Sequence, residues 1–209
     1  MNPNPSTEDP ATFWERFYED RDRWSGKPNP ALVDEADGLT PGTALDLGCG
    51  QGADAIWLAS KGWDVTAVDI SANALERSAE HAREAGVGDA IRWQRHDLAE
   101  SFPDGSYDLV SACFLQSPVE LPRERVLREA AAAVAPGGRL VIVAHAVAPS
   151  WADAAQHPWM ANAEETLVSL ELAEELWTVE TSREIVRAVT SPTGEPGTRG
   201  DIALRLHRR

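Results

Sequence analysis

The sequence predicts an α/β protein: a single doubly wound, mostly parallel seven-stranded sheet that closes with an antiparallel C-terminal hairpin. Three observations predict it. From Thr43 onward, short apolar runs alternate with stretches of helical periodicity, which is the pattern of successive βαβ units. The first run leads straight into a glycine turn, Gly48-Cys49-Gly50-Gln51-Gly52. The last two strand-like runs are separated only by the turn-rich insert Ser191-Pro-Thr-Gly-Glu-Pro-Gly, too short for the crossover that parallel strands need.

Taken in order, Thr43-Ala-Leu-Asp-Leu is a buried strand, and Ile56, Leu58 and Ala59 belong to a helix that stops near Lys61-Gly62, where glycine accepts the left-handed cap. Asp64 to Asp69 is a second strand; Ser71 then caps a helix running through about Ala85. Ala90 to Gln94 and Tyr107 to Cys113 read as the third and fourth strands. A helix from about Pro122 to Ala135 carries Leu127, Ala130, Ala131 and Val134 on one face, and Pro136-Gly-Gly stops it and turns the chain into a fifth strand, Arg139 to Ala144. A loop rich in Trp, Pro and His spans Ala146 to Met160, a helix lies near Ala163 to Leu176, and the closing strands fall near Glu184 to Val189 and Asp201 to Leu206.

A chain of 209 residues suits one sizeable core. Residues 11–209 are therefore expected to form one domain: N-terminal lid helices over 11–40, a cofactor-binding core over 41–145, and an acceptor-side loop, helix and hairpin over 146–209. Residues 1–10, with three prolines and small polar neighbours, are expected to be flexible. The formal net charge of −15 repels polyanions, so neither nucleic acid nor an anionic membrane is an expected partner. The basic group Arg205, His207, Arg208 and Arg209 reads as a solvated tail. With two cysteines, no leader and no apolar run of spanning length, the expectation is a cytoplasmic protein, monomer or homodimer, whose cysteines are small buried apolar residues. No paired-His or C-x-x-C spacing predicts a metal.

At a strand-to-helix junction, glycines let backbone amides approach a ligand. Asp69 ends the second strand 17 residues after Gly52, where a carboxylate can accept from both hydroxyls of a ribose. Together they predict an adenosine-containing cofactor. A dinucleotide turn has the spacing G-x-G-x-x-G, whereas here it is Asp46-Leu-Gly-Cys-Gly-Gln-Gly followed by Ala53. Alanine can stand for the third dinucleotide glycine, so spacing alone leaves both open. The acid weighs more: Asp46 favours an ammonium or sulfonium and repels a pyrophosphate.

Asp46 to Gly52, Asp69, His96-Asp97-Leu98, the strand Tyr107 to Cys113, Pro136-Gly-Gly and the closing hairpin together resemble the ordered motifs of class I S-adenosylmethionine-dependent methyltransferases over roughly Thr43 to Leu206. The resemblance implies S-adenosyl-L-methionine as cofactor. It implies that Gly48, Cys49, Gly50 and Gly52, with Asp46, face its methionine and ribose portions, and that Asp69 holds the ribose. Ile70 would lie against the adenine, Asp97 would accept from its amino group, Leu98 would offer a backbone donor, and Cys113 and Phe114 would line the methionine end.

The segment from Phe13 to Trp24 has helical spacing, and Trp24-Ser-Gly-Lys-Pro-Asn resembles the lid of thiopurine and tellurite-resistance methyltransferases, which act on small, soft acceptors. Tyr18 and Trp24 are candidates to face a sulfonium, where cation–π attraction contributes ~0.5–2 kcal/mol; Arg23 is a candidate partner for the cofactor carboxylate. The acceptor is expected beyond the ends of the fourth and fifth strands, against Gln116, His145 and the loop from Trp151 to Trp159. The expected activity is methyl transfer to a small molecule, with a thiol or other soft nucleophile in view. His145 is the candidate base if the acceptor needs one. The alternatives are a nicotinamide-dependent oxidoreductase and a noncatalytic cofactor-binding module.

Overall fold

The computed structural model describes residues 8–19, 25–153 and 160–209. Its elements are α1 (Pro10–Glu19), α2 (Pro30–Ala36), β1 (Thr43–Leu47), α3 (Ala53–Ser60), β2 (Asp64–Asp69), α4 (Ala72–Glu84), β3 (Ile91–Arg95), β4 (Tyr107–Cys113), α5 (Arg123–Ala132), β5 (Val134–Val147), α6 (Ala163–Ser169), β6 (Trp177–Thr190) and β7 (Pro196–Arg208). The seven strands form one sheet in the order β3-β2-β1-β4-β5-β7-β6. Strands β1 to β5 pair in parallel, while β7 runs antiparallel between β5 and β6. The strand order reverses between β1 and β4, so the loops leaving their carboxyl ends diverge and open a crevice there.

Strand alternation divides the core into two layers. Leu45, Leu47, Val110, Leu140, Ile142 and Leu204 pack with Leu127 of α5 on one face. Ala44, Val65, Leu109, Val141, Val143 and Ala203 pack with Leu32 of α2 and Leu58 of α3 on the other. Period-two alternation puts Asp46 on the second face, beneath the start of α3, and burial follows from that position.

The turn chemistry holds where it was expected: Ser71 accepts from the Ala74 amide as N-cap of α4, and Gly62 sits at φ 94 after α3. Four expectations change. The helix foreseen to Ala135 ends at Ala132, and β5 already begins at Val134, so Pro136-Gly-Gly lies within the strand at an irregularity in its pairing with β4. The helix foreseen to Leu176 ends at Ser169, since Glu171 at φ 52 breaks the helical path and the chain enters β6 at Trp177. The hairpin strands are far longer than their apolar cores suggested, because polar residues extend the ladder on both ends. The basic group at Arg205–Arg209 is no solvated tail. Arg205 and Arg208 belong to β7, with Arg205 on Glu180 at 2.9 Å and Arg208 donating to the Ala132 carbonyl at 3.2 Å. Among the described residues no helix is long and apolar enough to cross a membrane.

Candidate functional site

The crevice at the carboxyl rim of β1, β2 and β4 has two lobes that share Tyr18, Gly48 and Phe114. One, of about 650 Å³, is lined by Asp69, Ile70, Asp97, Leu98 and Gln116 together with Trp14 of α1. The other, of about 700 Å³, is lined by Asp46, Cys49, Gln51, Asp54, Cys113, Asn29 and Phe17. The glycine turn divides them. Gly50 sits at φ 54, and a Cβ there would meet the Tyr18 hydroxyl oxygen at 2.9 Å, so only glycine lets the aromatic ring of α1 lie this close.

Asp69 ties the turn to β2. Its two oxygens accept from the Gly50 amide at 2.8 Å and the Ser71 amide at 3.0 Å. Burial pushes this carboxyl above its ordinary range, and those amides oppose the shift. Asp97 accepts from the Ala99 amide at 2.9 Å and so shapes the turn that brings Leu98 to the crevice wall.

The second lobe carries an unusual set of unpaired atoms. Asp46 accepts from the Ser111 hydroxyl at 2.9 Å through one oxygen, while its other oxygen is buried without a hydrogen-bond partner among the described residues. Burial, reinforced by the charges of Asp54 and Asp69, pushes the Asp46 carboxyl up to about 8. The side-chain amide nitrogens of Asn29 and Gln51 are likewise buried and unpartnered among the described residues. An unpaired acceptor and two unpaired donors lining one lobe cost free energy, and a ligand carrying both a cation and an anion would relieve it. The thiols of Cys49 and Cys113 are driven well above their ordinary range by burial and the surrounding carboxylates, which makes them inert walls.

Helix α1 lies over the crevice as a cover. Asp9 caps it, accepting from the Thr12 amide at 2.8 Å, and none of its residues is buried although it carries Phe13, Trp14, Phe17 and Tyr18. Its Glu15 is the latch: the carboxylate accepts from the Ser71 hydroxyl at 2.8 Å, the Ala72 amide at 2.9 Å and the Asn73 amide at 3.1 Å, at the amino end of α4, and lies 3.3 Å from Arg95. Partial burial raises the Glu15 carboxyl, but the amides, the hydroxyl and Arg95 outweigh it and hold the group below its ordinary range. The latch therefore contributes fully above about pH 4.5 and is lost as pH falls through the lowered value. Glu15→Ala should free α1 at a cost of about 1–2 kcal/mol, seen as hydrogen exchange in Pro10–Glu19 that accelerates while the β1–β5 amides stay protected.

The structure brings Tyr18, Asp46, Gly48, Cys49, Asp69, Ile70, Asp97, Leu98, Cys113, Phe114 and Gln116 to one crevice. Three expected members stand elsewhere. Gly52 faces α4, where a Cβ would meet Ser78 and Trp93 at 2.9 Å, so its role in this structure is helix packing. His145 stacks on Phe114, with ring centroids 4.3 Å apart, and does not line the crevice. Trp151 packs over Gly197 at the start of β7 and is 40% exposed. Arg23, Trp24 and Trp159 lie outside the described residues. Sequence reasoning missed Trp14, Glu15, Asn29, Gln51 and Asp54. Trp14 lay one residue from the aromatic face already recognised, Gln51 inside the glycine turn and Asn29 at the end of the lid segment, whereas Glu15 and Asp54 carried no signal.

Residues 44–138 match a family described as a methyltransferase domain. The methyltransferase GfsG of Streptomyces halstedii is 35% identical over 147 residues, which cover 67% of this chain and 47% of that protein. The ribosomal RNA small subunit methyltransferase C of Chromohalobacter salexigens is 40% identical over 112 residues, 50% of this chain and 32% of that protein. The chain spans about half or less of the length of these curated relatives. Among solved structures, one from work on the conversion of a disulfide bond into a thioacetal group during echinomycin biosynthesis superimposes with a TM-score of 0.70 and 26% identity, covering 95% of this chain and 92% of that one.

Proposed function

We propose that this protein transfers a methyl group from S-adenosyl-L-methionine to a small-molecule acceptor: residues 44–138 match a methyltransferase domain family, and the seven-stranded sheet around them has the class I arrangement. The observation that carries this is the unpaired set among the described residues of the second lobe: one oxygen of Asp46 and the side-chain amides of Asn29 and Gln51, all lining the same space. It complements an α-amino acid, with the ammonium on Asp46 and the carboxylate on the two amides. The carboxyls of Asp46, Asp54 and Asp69 around the turn also suit a sulfonium, whose positive charge would favour their ionised forms, and they oppose the pyrophosphate of a nicotinamide dinucleotide. In the first lobe, Asp69 and Asp97 would serve the ribose and adenine, with Ile70 and Leu98 as apolar walls.

When bound, the donor supplies an electrophilic methyl on a cationic sulfur. The chain supplies alignment and dryness. Trp14, Phe17 and Tyr18 cover the crevice, and Glu15 holds that cover down. Such preorganisation is worth up to ~7–11 kcal/mol. An acceptor that is nucleophilic without a base, such as a thiolate, fits this site best. Both ring nitrogens of His96 are engaged, by Ser101 at 2.9 Å and Gln94 at 3.2 Å, and His145 stands against Phe114. The relative tied to disulfide-to-thioacetal conversion supports sulfur as the acceptor atom. The net charge of −15 favours a small acceptor over ribosomal RNA.

S-adenosylhomocysteine is expected to raise the melting temperature by several degrees and NADH to leave it unchanged. Radiolabelled donor should then label a member of a panel of thiols, amines and phenols. Stabilisation by NADH alone would reverse the assignment of cofactor, and donor binding without turnover on any acceptor would make the protein a noncatalytic binding module.

A further inference from the structure

Beside the crevice, on the other side of Phe114, three strands contribute a charged cluster at the same rim. His145, near the carboxyl end of β5, continues the alternation of Val141 and Val143 and pairs in register with Asp201 of β7. Its Nδ1 is 2.8 Å from Asp201 Oδ1, and the other Asp201 oxygen accepts from Arg187 Nε of β6. Asp201 is 2% exposed, so it needs compensation, and these two partners supply it.

Arg199 is then surplus to the structure's own needs. It stands directly opposite Arg187 in the β6–β7 ladder, and like charges in that position repel. Its one hydrogen bond among the described residues is 3.3 Å to His145 Nε2, and its Nε is buried with no partner. The Arg187 guanidinium lies 5.6 Å from the centre of the Phe114 ring, whose other contacts line the donor crevice. Phe114 is held at φ 54, a conformation costly for a bulky residue and found where a site over-determines the backbone. Two forked cations, one without a carboxylate partner among the described residues, therefore flank Phe114 and His145 behind the crevice wall of a protein whose net charge is −15.

We propose that Arg187 and Arg199 bind the carboxylate of the methyl acceptor, so that the acceptor is a small organic acid bearing its nucleophilic atom a short distance from that group. Planar guanidinium donors match a carboxylate in a way a lone ammonium does not. Asp201 positions Arg187 and His145, and Phe114 separates the anion from the donor's cationic sulfur. The inference rests on the methyltransferase reading for the word acceptor, but the anion site is measurable without it.

The test uses three thiols that differ chiefly in charge: thioglycolate, 2-mercaptoethanol and cysteamine. Each is titrated into the protein at pH 7 while the His145 ring signals are followed by NMR, in the native chain and in Arg199→Gln. Thioglycolate is expected to shift the His145 signals saturably, because the anion draws Arg199 from Nε2, and the neutral and cationic thiols to leave them in place. Arg199→Gln should weaken thioglycolate at least tenfold with the affinity for S-adenosylhomocysteine unchanged. No saturable shift, an equal response to 2-mercaptoethanol, or undiminished binding by Arg199→Gln would overturn the proposal. Inorganic sulfate binding as tightly as thioglycolate would overturn its assignment to an organic acid. Failure of S-adenosylhomocysteine to bind would instead overturn the reading of the activity, leaving the NMR titration to decide the anion site.

Discussion

Asp46→Asn should raise the melting temperature of the ligand-free protein at pH 8–9 and, in the same variant, weaken S-adenosylhomocysteine binding by about two orders of magnitude. The opposition follows from one buried group. Burial, with Asp54 and Asp69 nearby, lifts the Asp46 carboxyl from 3.8 to about 8. Between those values the folded chain holds a proton that the unfolded chain has released, so stability falls as pH rises through this window and the full penalty applies above it. Asparagine cannot ionise and keeps an oxygen for the Ser111 hydroxyl, which removes the penalty without opening a cavity. The same change deprives an incoming ammonium of its counter-charge, a loss of about 3 kcal/mol for a buried charged hydrogen bond. Calorimetric scans from pH 5 to 9, with ligand titrations at each pH, give both quantities. Donor binding to the native chain should tighten toward pH 8 as the proton leaves. A variant that binds like the native chain would take Asp46 out of the donor site.

Asp69→Ala is expected to fail twice over. It leaves the buried Gly50 and Ser71 amides without their acceptors, at a cost of about 2–5 kcal/mol, and removes the carboxylate assigned to the ribose. Asp69→Asn separates the two effects. One of the amides keeps an acceptor and part of the stability returns, while donor affinity stays at least tenfold down. Urea unfolding read beside calorimetry with S-adenosylhomocysteine distinguishes them. Recovery of both in Asp69→Asn would reduce Asp69 to a brace for the turn.

What could be read from the sequence was whatever depends on neighbours along the chain. Alternating apolar runs locate the strands, Ser71 and Gly62 mark helix ends, and the glycine turn with Asp46 and Asp69 points to one crevice. The rest depends on register and on distance through space. Glu15 in a charged helix looks like any solvated acid, and only the approach of α1 to the amino end of α4 turns it into a latch. Asn29 and Gln51 become significant only because their buried amides find no hydrogen-bond partner among the described residues. That Arg187 faces Arg199 follows from a hairpin register set by a loop, and no local pattern encodes it. His145 was singled out for its place after a strand, but its side-chain partners Asp201 and Arg199 both come from β7.

The placement of β7 also governs the order in which the molecule can be completed. Every other strand precedes it in the chain, yet it must slot between β5 and β6, so until it arrives the fully buried Leu140 and Ile142 lie along an open β edge that invites pairing with another chain. During synthesis the donor crevice can take shape early, from segments already released, while the sheet waits for its last ladder to form. The sheet is accordingly most exposed to misassembly while the edge of β5 waits for β7.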